Sequence, residues 1–403
     1  MKKLMILGGS AFIVPVIKKA QELGCYVITC DYLPDNIAHK YSDEYCNVSV
    51  IDKEAVLEAA REHEIDGIIS FACDPGVASA AYTAEKLGLP FQGPYESVRI
   101  LQDKGLFRKY LEDNGFNSPH SKRYTDKKAP FDDIDYFDWP VIVKPVDSAG
   151  SKGVKKVETP DELTEAIDFA LGEGHNGAFI IEDFITFKGY HMDGDFFTVD
   201  GKVVMGPLAD QLFDKDAVNP YTPSMLIWPT SSEESDVKIL QDEIQRLMYS
   251  LDMKTGIYNI EACVGQNGKQ YIMEVSPRGG GCRLAEIQDM AYSSHLVENE
   301  IRHAVGLPLL EMTNSKCDGH WVQFDVHSTS DKESILKAVT IDPEIKEKYI
   351  RFLMITAKSG DVVKPFTGAN MTLGNMFLRF DTRKELDDVM SRSKEWLKIE
   401  TED

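Results

Sequence analysis

Two glutamates held at a fixed spacing across a turn are the residues of this chain best suited to chemistry. The segment from Ile257 to Gly281 predicts two strands joined by a type I′ turn at Asn267-Gly268, since both residues tolerate positive φ. That register places Glu261 directly opposite Glu274, and like charges about 5 Å apart destabilise a hairpin. A hard divalent cation between them would remove the repulsion. The pair predicts a metal site, with two solvated surface glutamates as the alternative.

Basic groups near the hairpin and elsewhere suggest that a phosphate is also bound. Arg278 follows the second strand and is suited to hold a γ-phosphate or a developing acyl phosphate. Lys144 lies in the apolar strand VIVKP, where burial favours an anionic partner, although an edge lysine can also reach solvent. Lys104 at a helix start is a further phosphate candidate, and a plain surface lysine is its alternative.

A loop and a strand complete the pattern of a nucleotide site. The loop DSAGSKGV contains Gly150 and Gly153, so its backbone N–H groups can approach phosphate oxygens, or it is an ordinary flexible turn. The segment from Ile180 to Ile185 offers backbone and carboxylate acceptors to an adenine amino group.

The first hundred residues alternate strand and helix, which predicts a parallel sheet built from βαβ units. The expected strands are Leu4 to Leu7, Tyr26 to Thr29, Val48 to Val50 and Ile68 to Phe71. Gly8-Gly9 followed by Asp31 is a weak signal for a dinucleotide, because the full glycine fingerprint is absent. An oxidoreductase that uses a nicotinamide nucleotide is therefore one alternative function.

The later elements are less regular. The sequence predicts a hairpin turn at Asp200-Gly201, a long irregular stretch from Leu208 to Ser232 and an acidic C-terminal helix. Further strands are expected around Val322 to Val326, Phe352 to Ala357 and Phe377 to Phe380.

The composition of the chain further limits the classes of function that it can have. The net charge of −22 disfavours a nucleic-acid partner, and an 18-residue apolar run that could span a membrane is missing from the sequence. The 7 cysteines are scattered and odd in number, which is typical of a reducing cytoplasm and of neither a disulfide framework nor a structural zinc site.

Taken in order, Lys104, VIVKP with its glycine loop, the EDFI segment and the hairpin ending in EVSPR resemble the ATP-grasp superfamily over residues 1 to about 310. The resemblance is to its carboxylate–amine ligases, including L-amino-acid ligases, biotin carboxylase-like and carbamoyl-phosphate synthase-like proteins. It implies an α/β and α+β multidomain protein: a Rossmann-like pre-ATP-grasp domain over 1–100, an ATP-grasp domain over 101–310 with a lid subdomain near 120–185, and a small C-terminal α+β region over 311–403.

The resemblance also implies roles for individual residues. Glu261, Glu274 and Ser276 would bind Mg²⁺, two ions in all, with Mn²⁺ as a substitute; the family usually has Asn where this chain has Ser276. Arg278 and Lys144 would be catalytic. The predicted ATP contacts are Lys104, Lys144, Ser148, Gly150, Ser151, Gly153, Glu182, Phe184, Ile185 and His191.

The implied reaction activates a carboxylate as an acyl phosphate and joins it to an amine. Arg278, Arg283 and Asp74 are the candidate substrate contacts, although Arg283 could equally pair with a helix and Asp74 could cap one. The expected partners are a small carboxylate and a small amine, with a homodimer left open, in the cytoplasm. A catalytically silent ATP-binding or regulatory protein is the second alternative.

Overall fold

The computed structural model describes residues 1–148, 150–312 and 316–402. Its strands are β1 Lys3–Leu7, β2 Tyr26–Cys30, β3 Glu44–Cys46, β4 Gly67–Ser70, β5 Ser121–Tyr124, β6 Val141–Pro145, β7 Lys155–Val157, β8 Phe179–Asp183, β9 His191–Val199, β10 Lys202–Met205, β11 Ala209–Phe213, β12 Pro223–Trp228, β13 Gly256–Val264, β14 Gln270–Ser276, β15 His320–Val326, β16 Ser334–Ile341, β17 Ile350–Ile355, β18 Val362–Val363, β19 Gly374–Phe380 and β20 Leu397–Glu402.

The α-helices are α1 Val14–Glu22, α2 Lys53–Glu62, α3 Asp74–Leu87, α4 Tyr95–Gln102, α5 Lys104–Asp113, α6 Leu163–Glu173, α7 Glu234–Ser250, α8 Leu284–Tyr292, α9 Leu296–Ala304, α10 Pro343–Lys348, α11 Arg383–Met390 and α12 Ser393–Trp396. None of the helices in the described ranges combines the length and apolar content needed to span a membrane.

The chain divides into two compact units, each assembled from three segments. Unit 1 comprises Met1–Ser118, Gly194–Pro207 and Glu233–Ser315, and unit 2 comprises Pro119–Asp193, Leu208–Ser232 and Lys316–Asp403. The domain bounds given above from the sequence stay a prediction.

Unit 1 begins with the expected parallel sheet. Its strand order is β3-β2-β1-β4, and all three pairings are parallel, as the alternation of strand and helix predicts. The strand expected at Val48 to Val50 is wrong, because the third strand is β3 and the chain turns after it, with the Val48 amide donating to the Cys46 carbonyl at 3.1 Å. Val50 is apolar because it packs into the core of this sheet from a loop.

Two further hairpins of unit 1 lie later in the chain. β9 and β10 turn at Asp200-Gly201, where both residues have positive φ (50° and 78°) and Val199 pairs with Lys202. This two-residue turn is confirmed. The second hairpin, β13 with β14, carries the opposed glutamates.

Unit 2 contains two larger sheets. The strands β5-β8-β6-β7 form an antiparallel sheet over the core made with α6, within the stretch expected to be the lid. The order β9-β11-β12-β15-β19-β17 forms the other, whose apolar face packs on the C-terminal elements around Leu386 and Trp396. The fold class predicted from the sequence is confirmed.

The stretch from Leu208 to Ser232 is not irregular, so that expectation is wrong. It contains β11 and β12, which pair antiparallel from Asp210 and Ile227 to Phe213 and Pro223, with a register shift after Leu212. Pro220, Pro223 and Pro229 obscure the strands in the sequence, because proline is usually read as a strand breaker.

A buried carboxyl in unit 1 makes stability depend on pH. Glu300 is 2% exposed; it accepts from the Ile257 amide at 2.9 Å and from the Gln92 side chain. Burial raises the pKa of Glu300 to about 8, against 4.5 for a free glutamate. Its contribution to stability is therefore fully present below about pH 4.5 and is lost as the pH rises through about 8.

We expect Glu300→Gln to flatten this dependence, since the neutral amide keeps the shape and can still bond the Ile257 amide. Between pH 6 and pH 9 the wild-type melting temperature should fall by roughly 2–5 °C more than that of the variant. Thermal unfolding followed by circular dichroism at several pH values measures the difference. Parallel curves for the two proteins would contradict the assignment.

Candidate functional site

The β13–β14 hairpin brings Glu261 and Glu274 directly opposite each other, as predicted. The turn itself differs from the expectation. The Gly265 amide donates to the Lys269 carbonyl (2.8 Å), the Gly268 amide donates to the Gly265 carbonyl (2.9 Å), and Gly268 has φ +77°. The loop thus has three residues and shifts the register by one.

A β-bulge reverses that shift. Ala262 pairs with Ile272 while Glu261 pairs with Glu274, so Met273 is the extra residue of β14. The two glutamates consequently project side by side, and both are half-buried.

The carboxylates share this position with a buried ammonium group. Lys104 Nζ lies 3.2 Å from Glu274 Oε2, at the first residue of α5, whose start is capped by Asp103. Burial alone lowers the pKa of Lys104, but Glu274, then Asp74 and Glu261, raise it above its usual value. The donor set consists of two opposed carboxylates and one compensating cation, which fits a hard divalent cation that takes further oxygens from phosphate and water.

Beyond the hairpin, Arg278 forms a bidentate pair with Asp74. Its Nε lies 2.8 Å from Asp74 Oδ1 and its Nη2 lies 2.7 Å from Asp74 Oδ2, while Nη1 donates to the Gly279 carbonyl at 3.0 Å. Burial would raise the pKa of Asp74, but Arg278 and Ser276 hold it below its usual value. Asp74 is the first residue of α3 and holds the arginine; it does not cap the helix.

Ser276, predicted as a third metal ligand, is held by neighbouring side chains. Its hydroxyl donates to Asp74 Oδ1 at 2.7 Å and accepts from Gln102 Nε2 at 2.9 Å, and the residue is 2% exposed. A chain of hydrogen bonds therefore runs from Gln102 through Ser276 to Asp74 and Arg278.

Arg283, predicted as a substrate contact, pairs with a helix residue. Its Nε lies 2.6 Å from Glu286 Oε2 and its Nη2 lies 2.7 Å from Glu286 Oε1, three residues along the chain. This arrangement corresponds to the alternative in which Arg283 forms a salt bridge to a helix.

The sequence analysis missed Asp195, on β9. Its carboxylate accepts from the Gly280 amide at 2.9 and 3.0 Å and from Asn259 Nδ2 at 3.2 Å. The residue is 0% exposed, and burial raises the pKa of its carboxyl to about 7. An acid directly before the run FFTV, in a strand that is buried at this point, was a signal of a special role that the sequence already contained.

In unit 2, Lys144 and Glu182 form an ion pair between two adjacent strands of the β5-β8-β6-β7 sheet. Lys144 lies on β6 and Glu182 on the adjacent β8, and their side chains are 12% and 3% exposed. The anionic partner that a lysine in an apolar strand needs is thus supplied by the chain. Glu182 is already bonded to this ammonium group.

Removing Lys144 alone should destabilise the protein, because Glu182 would remain buried without its lysine. We expect Lys144→Met to lower the unfolding free energy by roughly 3–5 kcal/mol, and the double variant Lys144→Met with Glu182→Gln to recover most of it. In both variants the affinity for ATP should be lower than in the wild-type protein. Urea unfolding and calorimetric ATP titration separate the two effects; normal ATP affinity in the double variant would contradict a nucleotide role for Lys144.

The glycine loop of unit 2 is fastened at several points. Ser148 Oγ donates to the Lys152 carbonyl (3.0 Å), and Ser151 Oγ donates to the Tyr221 carbonyl (2.9 Å). Gly150 and Gly153 have φ of +68° and +72°, conformations that glycine adopts readily. The turn therefore depends on its glycines, which fits both a loop that binds phosphate and an ordinary turn.

The predicted adenine and ribose contacts follow β8. The Phe184 amide donates to the Pro140 carbonyl at 2.9 Å, and the Phe184 ring lies beneath Lys156 Nζ at 4.5 Å. Ile185 is half-buried.

His191, the predicted ribose contact, is the first residue of β9. Its ring packs against Phe187 and Phe213 with centroids 4.4 and 5.8 Å away. Burial, and then Lys144, lower the pKa of His191 to about 4, so its imidazole is neutral at pH 7.

The residues that follow β1 and β2 disfavour the alternative in which this sheet binds a dinucleotide. Asp31 accepts from the Leu33 amide at 2.9 Å and from Asn36 Nδ2 at 3.0 Å. A Cβ atom on Gly9 would lie 2.6 Å from Asn36 Cβ, so Asn36 already fills the space beside the glycine turn. A pyrophosphate would have to approach the same turn.

Comparison with known proteins identifies the class. The family model described as ATP-grasp domain matches residues 137–286. The crystal structure of L-amino acid ligase from Bacillus licheniformis has a TM-score of 0.82 and 18% identity, and the match covers 100% of this chain and 99% of that one. Residues 137–286 therefore match an ATP-grasp domain, and the resemblance drawn from the motifs of the sequence is confirmed.

Two curated relatives match in sequence. The carbamoyl phosphate synthase large chain, C-terminal section, of Aquifex aeolicus is 24% identical over 74% of this chain. A formate-dependent phosphoribosylglycinamide formyltransferase of a Synechococcus species is 29% identical over 46% of it. The chain spans about half the length of these relatives, 55% and 48% respectively.

Proposed function

We propose that this protein is an ATP- and Mg²⁺-dependent ligase that activates a carboxylate as an acyl phosphate and joins it to an amine. The observation that carries the proposal is the opposed pair Glu261 and Glu274, with Lys104 3.2 Å from Glu274. An unmetallated pair of carboxylates in a hairpin is destabilising, and the nearby Arg278 adds a group suited to phosphoryl oxygens.

Glu261 and Glu274 are the proposed metal ligands. Mg²⁺, when bound there, neutralises charge on the transferred phosphoryl group, and Mn²⁺ is a chemically similar substitute. The hydrogen bonds of Ser276 to Asp74 and Gln102 favour a site in which the two glutamates supply the protein's oxygen ligands, without Ser276.

Two lysines and a loop supply the proposed phosphate contacts. Lys104 and Lys144 hold phosphates, together with the loop that contains Ser148, Gly150, Ser151 and Gly153. Glu182 and the backbone after it, at Phe184 and Ile185, hold adenine, and neutral His191 holds the ribose. The ion pair between Lys144 and Glu182 supports this assignment, because one residue orients the other before the nucleotide arrives.

In the proposed reaction a substrate carboxylate oxygen attacks the γ-phosphorus of ATP, and ADP leaves. The amine nitrogen then attacks the acyl carbon, phosphate leaves, and the nitrogen loses a proton, which gives an amide. Arg278 stabilises the charge on the acyl phosphate, Lys144 that on the phosphates, and the protein excludes water. Arg283 pairs with Glu286, and Asp74 pairs with Arg278. The proposed contact of Arg278 with the substrate therefore rests on the suitability of its guanidinium for phosphoryl oxygens.

The test is release of ADP and phosphate from Mg-ATP across a grid of amino acids and small carboxylates crossed with amines, with products identified by mass spectrometry. Release that needs both partners, and a product mass equal to their sum minus water, would support a ligase and name its substrates. Mg²⁺-dependent ATP binding without turnover in any combination would favour the silent ATP-binding alternative. The cytoplasmic location and the homodimer stay predictions.

A further inference from the structure

The loop that carries Arg278 contains three consecutive glycines, Gly279 to Gly281, between β14 and α8. Glycine has more backbone freedom than any other residue, so such a loop does not by itself hold a side chain in place. The position of Arg278 must therefore come from contacts made by other elements of unit 1.

One set of contacts comes from the β4–α3 connection. Asp74 Oδ1 and Oδ2 accept hydrogen bonds from Nε and Nη2 of Arg278 at 2.8 and 2.7 Å. The Ala72 amide donates to the Gly279 carbonyl at 3.1 Å. The Phe71 ring lies so close that a Cβ atom on Gly279 would be 2.2 Å from it. These contacts fix the head of Arg278 and one side of the loop.

The other set comes from Asp195, which contacts the middle glycine of the run. Both of its carboxylate oxygens accept from the Gly280 amide, and a Cβ atom on Gly280 would lie 3.0 Å from Oδ1. Asp195 is itself held: the side-chain amide of Gln288 accepts from the Asp195 amide (2.7 Å) and donates to its carbonyl (2.8 Å).

Burying a carboxylate completely is expensive, and a neutral residue could bond one backbone amide at lower cost. The ionised form of Asp195, which burial disfavours, would in addition attract the guanidinium of Arg278. Asp195 therefore restrains the backbone beside Arg278 and, when ionised, also stabilises its guanidinium. A purely structural contact would need only the restraint of the backbone.

We infer that Asp195 is a positioning residue for catalysis, which together with Asp74 holds Arg278 in the geometry that stabilises the acyl phosphate. The inference rests on the proposed function, because it takes the role of Arg278 from there. Asp195 acts through Arg278 and the loop and touches no reacting atom.

The test is a double-mutant cycle of Asp195→Asn with Arg278→Lys, using the substrate pair found in the product screen. Asp195→Asn should lower kcat about 10–100-fold, with the KM for ATP within about twofold of wild type and the melting temperature nearly unchanged. In the Arg278→Lys background the same change should have little further effect, because the group that Asp195 positions is already gone.

The matched control is Glu300→Gln, which replaces another buried carboxyl of unit 1, bonded to Ile257 and Gln92, by its amide. Its kcat should equal that of the wild type. If Asp195→Asn does not fold, Gln288→Met leaves the carboxylate in place while freeing its backbone, and should show a smaller effect with the same coupling.

Equal losses of kcat from Asp195→Asn in both backgrounds, or a loss of melting temperature alone, would overturn the inference and leave Asp195 as a structural residue. A wild-type protein that forms no product with any pair would instead overturn the proposed function. The two failures are therefore distinguishable.

Discussion

Replacing Glu274 by glutamine should abolish Mg-ATP turnover, with a loss of at least about 1,000-fold, while the protein remains folded. The change removes one of two opposed negative charges and keeps the shape of the side chain. A neutral amide oxygen is a much weaker ligand for a hard cation than a carboxylate. The side chain of Glu274 is 32% exposed, and Lys104 keeps Asp74 and Glu261 as neighbouring charges, so stability should change little.

Two measurements check the result: ADP release under the conditions of the product screen, and Mn²⁺ binding in the presence of a nucleotide, followed by paramagnetic resonance. We expect both to be lost together. Glu112→Gln is the matched control, since it makes the same chemical change at an exposed position on α5 and should leave both unchanged. Undiminished turnover in Glu274→Gln would remove the metal assignment, and lost turnover with normal Mn²⁺ binding would move Glu274 to another role.

The register of this hairpin shows how far local sequence patterns can be trusted. The prediction placed a two-residue turn at Asn267-Gly268, but only Gly268 has positive φ and the loop has three residues. The resulting error of one residue is compensated by the bulge at Met273, so Glu261 still opposes Glu274. The carboxylate pair was thus predicted correctly through two errors that cancel, and no residue type in β14 announces a bulge.

By contrast, the turn at Asp200-Gly201 was predicted correctly, because there both residues adopt positive φ and local preference decides the structure. For β11 and β12, which lie in a stretch containing Pro220, Pro223 and Pro229, the neighbouring strands decide the structure, and the local pattern does not reveal them. Side-chain frequencies describe the segment alone, whereas a strand inside a sheet is stabilised by its neighbours.

The sequence shows which charged residues belong to the candidate site, but it does not show which of them pair with each other. Lys104, Lys144, Glu261 and Arg278 could be named from residue type and position. Asp74 pairs with Arg278, which lies 204 positions further along the chain. This pair depends on how separate elements of unit 1 pack. Long-range pairs of this kind lie outside any local pattern, and they decide which charged groups already have a partner before a ligand binds.

The second large effect is expected from Arg278→Lys, which should lower kcat about 100–1,000-fold with little change in the KM for ATP. The positive charge remains, but lysine replaces a rigid planar fork by a single flexible ammonium group. In the protein that fork spans both oxygens of Asp74 and also reaches the Gly279 carbonyl. A lysine cannot satisfy these contacts and at the same time face an acyl phosphate, so the developing charge loses its oriented donor.

The measurement is steady-state kinetics of amide formation, with a parallel assay of ATP hydrolysis in the absence of the amine. Arg302→Lys serves as the control: Arg302 pairs with Glu298 on α9 at 2.8 Å and is half-buried, and it should tolerate the exchange within about twofold. If Arg278→Lys proves unstable, the double variant with Asp74→Asn removes the unmatched charge and restores a testable protein. Retention of more than about a tenth of wild-type kcat would mean that charge alone suffices at this position and that the geometry fixed by Asp74 does not limit the rate.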